Sequence, residues 1–294
     1  MMEETILFAQ KELKKYQKLV TGQDRHAIRL ETDPALGRAL YGERFDAMFD
    51  DGYAIDISAS AGKIAGTNAR SVLLGVYRYF YLLGCRFFRA GKGGEILVRR
   101  KAEECSAKET RKPEYRHRGI TIEGSCSIGN VLDMIDWMPK AGFNAYFLQF
   151  TDGYTFFEHH YNGDSNPLRS RKTYSEEKNA EHVRKLIGAL KKRSLIYHAV
   201  GHGWTCLAMG RTYHGFTEQE KKEEFPMLAQ IGGRRGFFKG EPLNTQLCYS
   251  REEVRQQLAE TVVRYAEEHR EIDVLHVWLA DNFNNFCTCD SCRR

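Results

Sequence analysis

Short apolar segments alternate with amphipathic helices along the second half of the chain, and this rhythm constrains the fold more than any other feature. The apolar segments have the character of strands that are covered on both faces, at 119–123, 145–150, 195–200 and 274–279. The helices between them are predicted at 130–141, 175–192 and 250–269. Strand–helix–strand units with connections of this length favour a parallel sheet or barrel. The predicted fold class is therefore α/β.

The alternation ends before a barrel could close. A (β/α)8 barrel of the TIM type has eight strands and typically about 250 residues, whereas about 180 residues follow Pro113. We therefore predict that residues 114–294 form the first half of such a barrel. Parallel strands without closure leave an exposed edge. We expect either self-association into a homo-oligomer or a missing C-terminal barrel half that covers this edge.

The first hundred residues have a different pattern. An amphipathic helix at 5–19, with a lysine-rich polar face, precedes short strands at 27–30, 53–57, 63–66, 85–88 and 95–98. A broadly apolar helix at 69–83 can be capped by Thr67 or Asn68 and ends at Gly84. These elements predict a small α/β domain at 1–108. The charged segment 99–112, closed by Pro113, predicts a linker.

Composition and charge restrict the partners. The 44 basic residues are interspersed with 39 acidic ones, and the net charge is +5, which gives no indication of a nucleic-acid partner. No apolar stretch approaches the roughly 18 residues that cross a bilayer, and the N-terminus lacks the pattern of a signal peptide. Eight cysteines without regular disulfide spacing indicate reduced thiols. We therefore expect no membrane partner and a cytoplasmic location.

Polar and aromatic residues gather where the predicted strands end, and parallel α/β folds place their sites at these ends. In chain order the candidates are Glu123, Asp152, His198, His202, Trp204, Asp281 and Asn282. Carboxylates, histidines and an aromatic face suit a polyhydroxylated substrate, because they supply proton transfer, hydroxyl contacts and a stacking surface for a sugar. A structural alternative exists for each: an Asp can cap a loop, and a lone histidine commonly satisfies local hydrogen bonds.

Three cysteines follow Asp281 in the pattern Cys-x-Cys-x-x-Cys: Cys287, Cys289 and Cys292. With a fourth ligand from Cys206, Cys248 or a histidine, they could hold a structural zinc ion. The alternative is a set of reduced thiols that packs the loop. A metal here would fix the shape of the loop rather than take part in catalysis.

Several segments carry a resemblance to known glycosidases. Residues 53–57, 63–66, 74–77 and 83–88 resemble the small α/β domain before the barrel of family 20 hexosaminidases and family 67 α-glucuronidases. Residues 115–120, 149–152, 201–202 and 276–281 are similar to the first four barrel strands of that group. A closer similarity is to uncharacterised bacterial proteins with a domain of unknown function, on the helix at 135–138, the histidine-bearing third strand and the tryptophan-containing fourth strand followed by the cysteine pattern.

The resemblance implies a glycoside hydrolase that acts on a carbohydrate and requires no cofactor. It implies that Asp281 and Glu123 are the catalytic carboxylates, with substrate contacts from Arg118, Asp152, His198, His202, Trp204 and Asn282. Two departures change this expectation. Asn282 stands where hexosaminidases have the acid Glu and cannot donate a proton as a carboxylic acid does, and Cys126 stands in place of their sugar-gripping arginine.

These departures keep alternatives open. Asp281 would be the acid or an orienting group, and one carboxylate would come from strands outside this chain. The second hypothesis is a non-catalytic carbohydrate-binding protein or an inactive barrel remnant. A third is a zinc-dependent interaction module marked by the cysteine pattern and Arg293-Arg294.

Overall fold

The computed structural model describes residues 2–23, 27–122, 124–163, 168, 170 and 173–294. Their helices are α1 (Met2–Thr21), α2 (Pro34–Tyr41), α3 (Ala69–Leu82), α4 (Ile128–Trp137), α5 (Gly153–Asn162), α6 (Glu176–Lys191), α7 (Trp204–Ala208), α8 (Glu252–Glu268) and α9 (Asp290–Arg293). Their strands are β1 (Ala27–Thr32), β2 (Tyr53–Ser58), β3 (Ala61–Gly66), β4 (Arg86–Phe87), β5 (Glu95–Ile96), β6 (Ala107–Arg111), β7 (Gly119–Ile122), β8 (Ala145–Gln149), β9 (Ile196–Gly201) and β10 (Val274–Val277). The predicted α/β class is confirmed. Across these ranges, no helix has both the length and the apolarity that a membrane crossing needs.

The chain divides into two compact units. The first comprises Met1–Ile120, Ser127–Tyr146 and Glu181–Ile196, and the second comprises Thr121–Cys126, Phe147–Ala180 and Tyr197–Arg294. The first contains α1 to α4 and β1 to β6, and the second contains α5, α7, α8, α9 and β10.

A mixed sheet with the order β1-β3-β2-β6 forms the framework of the first unit. Strands β1 and β3 are parallel, whereas β2 is antiparallel to both β3 and β6. The apolar stripes of α1 and α3 supply much of its core, in which Tyr16, Ile64, Val72 and Phe80 are wholly buried. Asn68 caps α3 by accepting a hydrogen bond from the amide of Ser71 at 2.8 Å, as the sequence predicted.

The segment predicted as a linker is in part a strand. β6 pairs with β2 along its whole length, from Ala107 opposite Ile57 to Arg111 opposite Tyr53. The prediction of a linker at 99–112 was therefore wrong over these residues. An edge strand needs few apolar side chains because one of its sides faces solvent, so its charged sequence did not indicate pairing.

The four strands predicted in the second half are β7, β8, β9 and β10, and they form one sheet in the order β10-β9-β8-β7. β9 and β10 are parallel, with His198 opposite Val274 and Gly201 opposite Val277. Sequential neighbours in a parallel sheet are what strand–helix–strand units produce. The carboxyl ends of these strands therefore lie at one edge.

A helix, which the sequence did not predict, occupies part of the segment after β8. Helix α5 begins after Asp152, whose carboxylate accepts a hydrogen bond from the amide of Thr155 at 3.2 Å. It ends at Gly163, which has a left-handed φ of 78°. Phe156 and Phe157 are wholly buried. Burial of these two rings stabilises a helix of only 10 residues, although its sequence lacks a long amphipathic repeat.

Candidate functional site

The backbone turns sharply where the strands of the second sheet end. Left-handed φ values occur at Gly124, Ser125, Phe150, Val200, Gly201 and Asn282. Val200 is the most strained of these because a β-branched residue rarely has φ near its value of 100°. The amide of Phe150 donates to the carbonyl of Val200 at 2.6 Å. Such backbone conformations concentrate at functional sites, which supports this edge of the sheet as the candidate functional site.

His202 and Asp281 form a close pair at this edge. The Nε2 atom of His202 lies 3.2 Å from a carboxylate oxygen of Asp281, and its Nδ1 lies 3.0 Å from the carbonyl oxygen of Leu279. A carbonyl can only accept, so Nδ1 carries a hydrogen. The contact at Nε2 then requires one further proton, on the imidazole or on the carboxyl group. The side chain of His202 is 9% exposed and that of Asp281 is 80% exposed, so the carboxylate is open to solvent while the imidazole beside it is enclosed.

Trp278 adds an aromatic face beside this pair. Its ring lies 5.1 Å from the rings of His202 and Phe147, and the residue is 39% exposed. Gly201 makes room for it, because a Cβ there would lie 2.8 Å from the indole atom Cε3. From the sequence, Trp278 was predicted to lie in a buried strand, so it was not among the candidate site residues. Its packing against a glycine on the neighbouring strand, which the sequence does not show, distinguishes it from a core residue.

The other predicted histidine has a different partner. The Nδ1 atom of His198 lies 2.9 Å from Nε2 of His276, with the two rings 5.1 Å apart. His276 also packs against Phe147 at 5.0 Å. One of the two imidazoles must donate to the other. This histidine pair therefore joins β9 to β10 through side chains as well as through the backbone.

Trp204 is enclosed rather than open to a ligand. It is 3% exposed, its Nε1–H donates to the carbonyl of His276 at 3.1 Å, and its ring packs against Tyr265. A ring so covered can support its neighbours but offers no face for stacking. The exposed tryptophan of this region is Trp278.

Asp152 caps α5. It therefore has a structural role, as an Asp at the end of a strand can have. One turn further along α5, the buried Glu158 lies 2.8 Å from His214, and Thr155 lies 3.3 Å from the same imidazole. Burial and the Asp152 carboxylate raise the pKa of Glu176. Sequence reasoning missed Glu158 and His214 because it missed α5. Asp152, a residue type favoured at the N-cap of a helix, is the signal that could have revealed it.

The remaining predicted residues make other contacts or lie outside the described residues. The Asn282 side chain accepts a hydrogen bond from the amide of Phe283 at 2.8 Å. Arg118 belongs to the first unit, where its guanidinium contacts Asp51 at 2.7 Å and the carbonyl of Gly142 at 2.8 Å. Glu123 lies outside the described residues.

Two buried amide side chains hold the turn that carries Asp281. Gln246 donates to the carbonyl of Ala280 at 2.6 Å and accepts from the amide of Ala280 at 3.3 Å. Asn285 donates to the carbonyl of Asp281 at 2.7 Å. Gln246 is 8% exposed and Asn285 is 4% exposed. Because their hydrogen bonds are shielded from water, they fix the backbone beneath an exposed carboxylate.

Four cysteine sulfurs converge on the C-terminal side of this turn. Cys248 joins Cys287, Cys289 and Cys292, and the four sulfurs lie within 4.8 Å of one another. The structure thus selects Cys248 from the predicted fourth ligands; Cys206 is not in the cluster. All eight cysteines are free thiols. The backbone N–H of Cys292 lowers the pKa of the Cys289 thiol to about 5, as expected where amides point at a sulfur.

Comparison with protein-family models gave no match, and comparison with curated proteins gave none either. Among solved structures, the chain is similar to a family 89 glycoside hydrolase from Clostridium perfringens in complex with PUGNAc, with a TM-score of 0.50 and 16% identity over 94% of this chain and 32% of that one. A GH20 exo-β-N-acetylglucosaminidase from Vibrio harveyi matches with a TM-score of 0.48 and 13% identity over 97% of this chain and 44% of that one. The chain has a glycoside hydrolase-related fold. It spans less than half the length of either protein, and at these identities the similarity concerns the fold alone.

Proposed function

We propose that this chain carries part of the substrate-binding face of a glycoside hydrolase-like protein that acts on a carbohydrate. The observation that carries the proposal is the His202–Asp281 pair, 3.2 Å apart, beside the half-exposed ring of Trp278. A proton-exchanging pair next to an aromatic face is the combination that sugar chemistry uses. The glycoside hydrolase-related fold supports the same conclusion.

In this proposal Asp281 is a catalytic carboxylate and His202 orients it and shares its proton. Glycoside hydrolysis requires a second carboxyl group, and our candidate is Glu123, the residue that follows β7 in the sequence. The separation of the two carboxyl groups would decide between retention and inversion. Trp278 would stack on the apolar face of the sugar, while its hydroxyl groups would bond to polar side chains nearby.

We propose that Asp152, Asn282 and Arg118 contact the substrate and that His198 and Trp204 support the site from below. His198 and Trp204 act beneath the surface through His276, and Arg118 is already bonded to Asp51. We also propose that residues 1–108 form the N-terminal domain and that 114–294 form the first half of a TIM-type barrel. The sheet order β10-β9-β8-β7 is the order such a half would have.

The test is hydrolysis of a panel of aryl glycosides of hexoses, N-acetylhexosamines and hexuronic acids. Asp281→Asn should lower kcat/KM by about 10²- to 10⁴-fold, the usual contribution of acid–base catalysis, without changing the unfolding midpoint. Glu267→Gln, at an exposed carboxylate on α8, is the matched control and should keep full activity. Equal rates in the two variants would remove Asp281 from the mechanism.

A second function is favoured by one observation. Asn282 replaces the expected acid, and a carboxamide has no acidic proton to give to a leaving group; its side-chain oxygen accepts a hydrogen bond from the amide of Phe283. A carbohydrate-binding protein without catalysis would bind the sugars of the panel without hydrolysing their glycosides. A sugar-dependent rise in melting temperature with no turnover would establish this alternative.

A further inference from the structure

The distances within the cysteine cluster match those around a single tetrahedral metal ion. The sulfur of Cys248 lies 3.6 Å from that of Cys287, 3.8 Å from Cys289 and 3.9 Å from Cys292. A zinc ion bonded to four sulfurs at about 2.3 Å places them about 3.8 Å apart. A disulfide would require about 2.05 Å. The cluster therefore has the spacing of a four-sulfur metal site and not that of oxidised pairs.

Hydrogen-bond donors lie close to the sulfurs, and the form of cysteine that binds metal is the thiolate. The amide of Gln230 donates to the sulfur of Cys287 at 3.2 Å. The hydroxyl oxygen of Ser250 lies 3.5 Å from the sulfur of Cys248 and 3.8 Å from that of Cys289. Four thiolates around a divalent ion leave a net negative charge, and hydrogen-bond donors to the sulfurs offset part of it. Ala229 and Ile231 pack against the sulfurs and restrict access of water.

We propose that Cys248, Cys287, Cys289 and Cys292 bind one Zn²⁺ ion as a structural site. Four protein ligands leave no open position for a substrate or a water molecule, so the metal would have no catalytic role. The proposal does not depend on the proposed function. It requires only that these four thiols be reduced.

The ligands are placed so that the metal would act on the turn that carries Asp281. Cys248 follows Gln246 by two residues, and Gln246 holds both backbone groups of Ala280. Cys287 follows Asn285 by two residues, and Asn285 holds the carbonyl of Asp281. Both amide side chains that fix the turn are thus anchored next to a ligand.

The first test is the metal content of the full chain purified under reducing conditions without chelator. Mass spectrometry of the metals should find about one equivalent of zinc, as for a tight structural site. Cys289→Ser should lose it, whereas Cys126→Ser, at another half-buried cysteine outside the cluster, should keep it. Less than about a tenth of an equivalent after incubation with zinc, bound iron in its place, or a disulfide between any two of the four cysteines would overturn the proposal.

The second test does not depend on the folding of a variant. Cobalt added to the wild-type protein after chelation should give the absorption of a tetrahedral thiolate site, with charge-transfer bands from sulfur to cobalt. Zinc should then abolish these bands, and it should raise the melting temperature of the chelated protein. An octahedral cobalt spectrum, or a melting temperature that zinc does not change, would contradict a closed site of four sulfurs.

Discussion

Among the described carboxylates of the first unit, Asp51 is the most enclosed, at 1% exposure. Its oxygens accept hydrogen bonds from Arg70 at 2.9 Å, Arg118 at 2.7 Å and Asn144 at 2.8 Å. Burial alone would raise the pKa of Asp51, but the two guanidinium groups and the amide outweigh it and hold the pKa below its usual value. Arg118, selected from the sequence as a substrate contact, therefore also has a structural role.

We predict that Asp51→Asn lowers the free energy of unfolding by about 3–5 kcal/mol, because it leaves two arginines without their buried counter-charge. Urea unfolding measures this loss. Asp133→Asn, at an exposed carboxylate of the same unit, should change stability by less than about 0.5 kcal/mol.

The difference in stability between the wild-type protein and Asp51→Asn should depend on pH, and the depressed pKa of Asp51 fixes the direction of this dependence. A carboxyl group whose pKa is depressed on folding stabilises fully above its unfolded pKa, about 3.9, and loses this contribution as pH falls through the folded pKa. The difference between wild type and Asp51→Asn should therefore be constant near neutral pH and shrink in acid. A difference that stays the same below pH of about 3 would rule out the depressed pKa.

At the scale of elements, the sequence predicted the helices and strands in which apolar residues recur along a buried face. Strands β7 to β10 and helices α1, α3, α6 and α8 all occur near their predicted bounds, because apolar residues must line their covered faces. The charged edge strand β6 and the short helix α5 were missed. Both are held by neighbours distant in sequence, which local patterns do not contain.

The candidate site was predictable to the same degree. Residues at the ends of adjacent parallel strands must be neighbours, so His202 and Asp281 could be grouped from the sequence alone. The position of Trp278 beside this pair could not be predicted from the sequence, because it depends on the space left by Gly201 on another strand. The choice of Cys248 over Cys206 likewise required a distance between remote parts of the chain.

The end of β9 gives a prediction with an internal control. Gly201 and Gly210 have nearly equal left-handed φ values, 72° and 77°, but a Cβ at Gly201 would meet Trp278 whereas one at Gly210 would meet nothing within 4 Å. Both alanine variants should lose about 1–2 kcal/mol for the backbone. Gly201→Ala should lose roughly 1–3 kcal/mol more by overpacking and alter the near-ultraviolet circular dichroism of the tryptophans. Equal losses and unchanged spectra would show that Trp278 is not held by this glycine.

At the scale of the whole molecule, the unpaired edge of β10 is the surface most prone to association with another chain. β10 ends the order of its sheet, and large apolar side chains are exposed on it and just after it: Val277 at 46%, Leu279 at 57%, Phe283 at 86% and Phe286 at 63%. Unpaired backbone groups beside exposed apolar side chains promote pairing with another chain.

We therefore predict that the chain self-associates, with an average mass in sedimentation that rises with concentration. Val277→Lys should reduce this association, because a lysine on an edge strand opposes pairing. Val263→Lys, at an equally exposed valine on α8 (57%), is the control and should leave association unchanged. A wild-type protein that is monomeric at all concentrations would contradict the prediction.

The spacing of the cysteine cluster has a consequence for the unfolded chain. Cys248 and Cys287 are 39 positions apart, and the segment between them contains α8 and β10. A metal bound to both would close this segment into a loop and reduce its conformational entropy when unfolded, by an amount comparable to a disulfide over the same span, about 4 kcal/mol. Helix α8 and strand β10 would then gain stability from the metal in addition to that from their own contacts.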